Sequence, residues 1–79
     1  MKIPKADKGK VVVIYAELKT GIILNLDNTY YSGVGENYYL VVDNLQLARK
    51  QAVEAISQSN NSIEVLLYDN EGIFIDRMR

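Results

Sequence analysis

The chain of 79 residues contains no cysteine, no histidine and no tryptophan. Without cysteine there can be no disulfide framework, no thiolate metal site and no thiol nucleophile. Without histidine there is no imidazole to act as a general base or as a metal ligand. These absences remove most of the familiar catalytic machinery, so we expect a protein that is not an enzyme and that holds no cofactor.

Long hydrophobic runs are also missing. The longest uninterrupted apolar run covers residues 11–16, far fewer than the roughly 18 residues that a membrane span requires. Four lysines precede this run, as in a secretory signal, but Glu17 and Lys19 follow where a small-residue cleavage site would be needed. We therefore expect a cytoplasmic protein with no membrane partner.

Positive charge is concentrated at the start of the chain. The formal net charge is only −1, yet the first ten residues carry four lysines against one aspartate. Such a segment is either a basic arm that contacts phosphate or an acidic partner, or a solvated and frayed terminus. We interpret residues 1–10 as an irregular lysine-rich lead-in and residues 11–79 as a single α+β domain.

Runs of β-branched, aromatic and aliphatic residues predict five strands. The predicted strands cover residues 11–18, 22–26, 38–42, 63–68 and 73–78. The polar stretch 27–29 follows the second strand, and Tyr30 and Tyr31 are predicted to prolong that strand past a bulge. Turns that contain Gly21 and Gly72 predict two hairpins.

One helix is predicted between the third and fourth strands, over residues 45–58. Apolar residues follow one face of this segment. They are Leu45, Ala48, Ala52, Val53 and Ile56. Asp43 is the predicted N-cap, with Gln46 three residues later as in a capping box. The order β-β-β-α-β-β predicts an α+β fold: a single, mainly antiparallel sheet of about five strands with the helix packed on one face.

Alternation along the strands divides their side chains between the two faces of this sheet. The set that includes Val12, Ile14, Leu40, Val65 and Leu67 is expected to face the helix. The opposite face, called the second face below, is also largely apolar, although a face exposed to water should be polar. Its predicted members are Val11, Val13, Tyr15, Ile23, Tyr39, Val41, Leu66, Tyr68 and Phe74.

This second face is the main functional clue in the sequence. Five strands span about 24 Å, while one helix is about 10–12 Å across, so we expect nothing in the chain to cover the second face. A contiguous apolar patch usually marks an interaction site. We predict a small non-enzymatic protein–protein interaction module, of the inhibitor, immunity or assembly-subunit type, that forms a homodimer or binds another protein. The alternative is a sheet that curls into a small barrel and uses both faces internally.

Tyrosine is unusually frequent, with six in the chain. Four of them flank the glycine-containing loop 32–37, which makes this segment a candidate recognition loop. Its candidate residues are Tyr30, Tyr31, Asn37 and Tyr38. Rigid aromatic side chains anchor protein interfaces, and they also stack on unpaired bases. A nucleic-acid-associated protein that uses these tyrosines and the lysine arm is therefore the alternative function, while strand propensity alone also explains tyrosine here.

Carboxylates are numerous, but their spacing nominates no catalytic pair. The segment Asp69-Asn70-Glu71-Gly72 resembles part of a calcium loop, yet Met78 stands where that loop needs its bidentate glutamate. A carboxylate or Mg²⁺-dependent enzyme is the third and weakest hypothesis. We predict no catalytic, cofactor-binding or metal-ligating residue.

Overall fold

The computed structural model describes residues 2–79 and has the predicted α+β architecture, with one helix and five antiparallel strands in one sheet. In chain order the elements are β1 (Val11–Glu17), β2 (Ile23–Leu24), β3 (Tyr39–Val42), α1 (Leu45–Gln58), β4 (Ile63–Tyr68) and β5 (Phe74–Met78). The bounds of α1 and β4 are those predicted from the sequence, whereas β2 is shorter.

Strand β1 lies at the centre of the sheet. One edge of β1 pairs with β4 over residues 12–17. Its other edge pairs with β3 over residues 11–14 and with β2 over residues 15–16, so β2 and β3 lie end to end. The sheet is therefore four strands wide, with β5 outside β4. Within residues 2–79 the two outer edges do not pair with each other, so the sheet is open and not the barrel considered as an alternative.

The predicted faces of β1 are reversed in the structure. Val11, Val13 and Tyr15 face the helix, whereas Val12 and Ile14 lie on the second face. Nearly every residue of β1 is apolar, so alternation could not determine which way the strand faces. The pairing register determines which way β1 faces, because residues directly opposite each other in an antiparallel pair share a face. Val13 lies opposite both Leu40 and Leu67.

The helix packs on the sheet through small residues. Ala48 and Ala52 are fully buried, and Ile56 is nearly so, as part of a core that also contains Val13, Val65 and Leu67. Val53, predicted to belong to the apolar stripe, is instead 58% exposed.

The helix begins one residue later than its predicted cap implies. Asn44 is the N-cap, with an extended backbone (φ −159°), and its side-chain oxygen accepts the Leu47 N–H at 2.8 Å. Asp43 instead accepts a hydrogen bond from Lys10 Nζ at 2.9 Å. The predicted capping box of Asp43 and Gln46 is therefore wrong. Asp and Asn both favour the N-cap position, so the adjacent pair Asp43-Asn44 does not by itself show which residue is the cap.

The second face is covered in part by the chain itself, contrary to the expectation from the sequence. The side chains of Ile3, Ala6, Tyr31 and Tyr38 pack over a second core cluster centred on Val12 and Ile14. Two hydrogen bonds anchor residues 2–6, called the strap below: the Ala6 N–H donates to the Asn70 carbonyl at 2.9 Å, and the Tyr38 hydroxyl donates to the Lys2 carbonyl at 2.9 Å. The strap carries neither helix nor strand, yet it is an integral part of the packing.

The chain reverses after β2 instead of continuing it. Asn28 adopts a positive φ of 70°, and the Asn25 N–H donates to the Thr29 carbonyl at 2.7 Å. Tyr30 then returns antiparallel to Leu24. The predicted prolongation of the second strand through Tyr30 and Tyr31 is therefore wrong, because the tight turn at Asn28 folds this segment back alongside β2.

Candidate interaction surface

Six of the nine predicted interface residues lie on the second face. Ile23, Tyr39, Leu66 and Tyr68 border its core cluster, while Val41 and Phe74 lie opposite second-face residues of the neighbouring strands. The other three, Val11, Val13 and Tyr15, belong to the helix-facing core. Because Val11 and Val13 are at most 4% exposed, they contribute no accessible surface.

A row of four side chains crosses the second face from one sheet edge to the other. The register aligns Val41, Val12, Tyr68 and Phe74 on β3, β1, β4 and β5. Val12 is fully buried, whereas Val41 is 46% and Phe74 is 54% exposed. The Phe74 ring lies edge-on to Tyr68 with ring centroids 5.7 Å apart. The accessible apolar surface of this row therefore lies at its two ends, near the sheet edges.

The candidate recognition loop divides into a packed part and an exposed part. The Tyr38 ring is 4.4 Å from that of Tyr31 and 5.1 Å from that of Tyr39. Only 7% of Tyr38 is exposed, and burial raises the pKa of its hydroxyl. Tyr31 and Tyr38 therefore pack with the second-face cluster, and Tyr38 leaves little free ring surface for recognition.

The other two candidate residues of this loop, Tyr30 and Asn37, are exposed. The Tyr30 hydroxyl donates to Glu17 Oε2 at 3.0 Å, and this hydrogen bond raises the pKa of Tyr30. Asn37 offers an exposed side chain, while its backbone carbonyl accepts the Leu26 N–H at 2.7 Å. Of the four candidate residues, Tyr31 and Tyr38 thus pack with the second-face cluster, while Tyr30 and Asn37 are exposed.

The strap and the tyrosine cluster together line a groove of about 440 Å³. Its lining includes Lys2, Pro4, Lys5, Glu36 and Tyr39. The structure therefore brings the lysines of the strap beside an aromatic ring that is half-exposed. Glu36 places an acidic side chain in the same groove, which opposes the attraction that the lysines exert on phosphate.

The edge strand β5 carries a feature that sequence reasoning missed. Asp76 Oδ2 accepts a hydrogen bond from Arg49 Nη1 at 2.6 Å, and Asp76 Oδ1 accepts the backbone N–H of Arg77 at 2.8 Å. The Arg49 hydrogen bond, and after it the Arg77 N–H, lower the pKa of Asp76. The sequence did carry a signal for this feature, because Asp76 and Arg77 are charged residues inside an otherwise apolar strand. Edge strands are commonly protected from further pairing by such charges.

A second groove, of about 320 Å³, lies between the turn after β2 and the end of α1. Polar side chains at its rim are Asn25, Asn28 and Gln58, while Leu24 and the half-buried Tyr15 contribute apolar lining. Burial raises the pKa of Tyr15. The sequence signals for this groove were weak, because its asparagines are also typical of turns.

Between residues 2 and 79, no three acidic side chains come together as a metal site would require. In that part of the chain, no helix has the length and apolarity needed to cross a membrane. No protein-family model matches this chain, and neither a curated protein nor a solved structure matches it significantly.

Proposed function

We propose that the chain is a small, non-enzymatic protein–protein interaction module that self-associates through the second face of its sheet. The observation that carries this proposal is the exposure of Val41 and Phe74, at 46% and 54%, in a row whose inner member Val12 is fully buried. Ile73, next to Phe74, is 62% exposed. Large apolar side chains that stay exposed at the edges of a sheet face favour association over solvation.

The proposed role is that of an inhibitor, an immunity protein or an assembly subunit acting in the cytoplasm, and a second protein is the alternative partner. These roles require a binding surface and no catalytic group. The lack of cysteine supports a reducing compartment, because small secreted domains usually depend on disulfides.

Sedimentation velocity tests the self-association. The purified chain at micromolar concentration should sediment with a mass above 8.9 kDa. A Val41→Glu/Phe74→Glu double variant should be monomeric, because charge at both ends of the row opposes burial of this face. The matched control is Val53→Glu on the helix, since Val53 has a similar exposure of 58% but faces away from the sheet core. A monomeric wild-type chain would contradict the proposal.

Association with single-stranded nucleic acid is the second candidate function. The groove that brings Lys2 and Lys5 beside Tyr39 supports it, because cations along the backbone and an aromatic platform for bases are the usual elements of such sites. Fluorescence anisotropy with labelled single-stranded DNA and RNA at low salt provides the test. Binding should weaken steeply with salt and in a Lys2→Gln/Lys5→Gln variant, and an absence of binding at low salt removes this candidate.

A further inference from the structure

The free edge of β3 presents unpaired backbone groups. Successive residues of a strand direct their N–H and C=O groups to opposite edges. The Glu17 N–H donates to the Ile22 carbonyl on the β2 side of β1, while the Leu18 N–H donates to the Ser62 carbonyl on the β4 side. Odd-numbered residues of β1 therefore bond towards β2 and β3, and even-numbered residues bond towards β4.

This alternation along β1 determines which backbone N–H and C=O groups of β3 remain unpaired. Val11 and Val13 bond to Val42 and Leu40, the residues opposite them, so the backbone of Tyr39 and that of Val41 point away from the sheet. Among residues 2–79, no backbone or side-chain group outside the β1 ladder bonds to Tyr39 or Val41. Val41 is also 46% exposed. The free edge of β3 thus offers backbone N–H donors and C=O acceptors at the spacing that a further pairing strand requires.

The opposite edge of the sheet does not offer the same groups. By the same alternation, the backbone groups of Val65 and Leu67 bond to Met78 and Asp76 of β5. The N–H of Arg77, which lies between these two residues of β5, therefore points away from the sheet. The Asp76 carboxylate already accepts this N–H at 2.8 Å. A symmetric pairing centred on Arg77 would also place two arginines opposite each other, which is destabilising. Strand β3, by contrast, contains no charged residue.

We propose that β3 of one copy pairs antiparallel with β3 of a second copy about a two-fold axis at Val41. This proposal rests on the proposed self-association, and it places the contact between the copies at the β3 edge of the second face, where Val41 lies, so that Phe74 at the β5 edge takes no part in it. In this register Val41 and the partner's Val41 exchange two N–H···O bonds. Tyr39 lies opposite the partner's Asp43, and Leu40 lies opposite the partner's Val42.

This register is compatible with the side chains on both faces of the sheet. Residues opposite each other share a face, so both helices stay on one side of the joined sheet and both second faces stay on the other. A groove of about 290 Å³, whose lining includes Leu40, Val41, Val42 and Leu47, runs along the β3 edge. Opposite Val42, the partner's Leu40, which is half-buried within its own chain, brings an apolar side chain to this groove. The Asp43 carboxylate is already paired with Lys10 of its own chain, so no unpaired like charges meet.

Amide hydrogen exchange measured by NMR at low and high protein concentration tests the proposal. The Val41 and Tyr39 amides should exchange at least about tenfold more slowly at the concentration where the chain associates. The Leu40 and Val42 amides, bonded within the chain, should be protected at both concentrations and serve as internal controls. Unchanged exchange at Val41 in a sample that sedimentation shows to be associated would overturn the proposal.

A Val41→Pro variant provides the second readout. Proline removes an N–H that the chain does not use internally, and edge positions of this kind tolerate proline. The variant should sediment as a monomer with an unchanged circular dichroism spectrum, while Phe74→Glu should still associate. If Val41→Pro associates like the wild type and Phe74→Glu does not, the second face mediates association and the edge pairing is wrong. A wild-type chain that never associates contradicts this inference and the proposed function together.

Discussion

Truncation of Tyr38 should remove a large part of the stability of the second face. Tyr38 is 7% exposed and packs on Val12 and Ile14, both fully buried. Replacing a buried aromatic residue by alanine costs about 3–5 kcal/mol. A chain of this size is stable by about 4–12 kcal/mol in total, so Tyr38→Ala should lose about a quarter or more of its free energy of unfolding.

A Tyr38→Phe variant separates the ring from the hydroxyl. The hydroxyl donates to the Lys2 carbonyl at 2.9 Å, and loss of one such hydrogen bond costs about 0.5–1.5 kcal/mol. The ring remains in Tyr38→Phe, so this variant should keep most of the stability that Tyr38→Ala loses. The difference between the two variants therefore measures the packing of the ring against the sheet.

Urea unfolding monitored by circular dichroism measures both losses. Tyr30→Ala is the matched control, because Tyr30 is 56% exposed and lies outside the second-face cluster. Its cost should be below about 1 kcal/mol, as for most surface substitutions. Equal losses for Tyr38→Ala and Tyr30→Ala would refute the second core cluster.

Three further predictions concern the helix cap, the β5 edge and the strap. Asn44→Ala should lose about 1 kcal/mol in urea unfolding, and an equal or larger loss in Asp43→Ala would contradict the assigned cap. The Asp76 carboxyl should titrate by NMR below the ordinary aspartate pKa, and Arg49→Met should raise the pKa of Asp76. The stabilisation from the Arg49–Asp76 pair is present above the ordinary aspartate pKa and is lost as pH falls through the lower pKa of the folded state. An unchanged Asp76 pKa in Arg49→Met would contradict this pairing. Ile3→Ala should cost about 1–2 kcal/mol in urea unfolding, about half the loss for a fully buried site, and no loss would show that the strap contributes nothing.

The elements of this fold could be predicted because each has a strong local signal. Helix formers with a periodic apolar face predict residues 45–58, and β-branched or aliphatic runs bounded by polar turns predict β1 and β4. The faces of β1 could not be predicted in the same way. In its run VVVIYA, both alternating sets are apolar, so only pairing with β3 and β4 determines which set faces the helix.

The covering of the second face had no periodic signal in the sequence. Ile3 and Ala6 lie in a segment with neither helix nor strand periodicity, and they become part of the packing only through contacts with strands that are distant in the sequence. The width of the sheet was overestimated for a related reason. Strands β2 and β3 pair with the same edge of β1, so five strands make a sheet only four strands wide. The second face is therefore narrower and more covered than its composition suggests, and its accessible residues lie near the sheet edges.

Self-association is the central claim, and sedimentation equilibrium over a range of concentrations tests it most directly. With β3 edges paired about a two-fold axis, the apparent mass should rise from 8.9 kDa towards twice that value as concentration increases. In the Val41→Pro variant it should stay at the monomer mass. A wild-type mass that remains at 8.9 kDa at every concentration would contradict the claim.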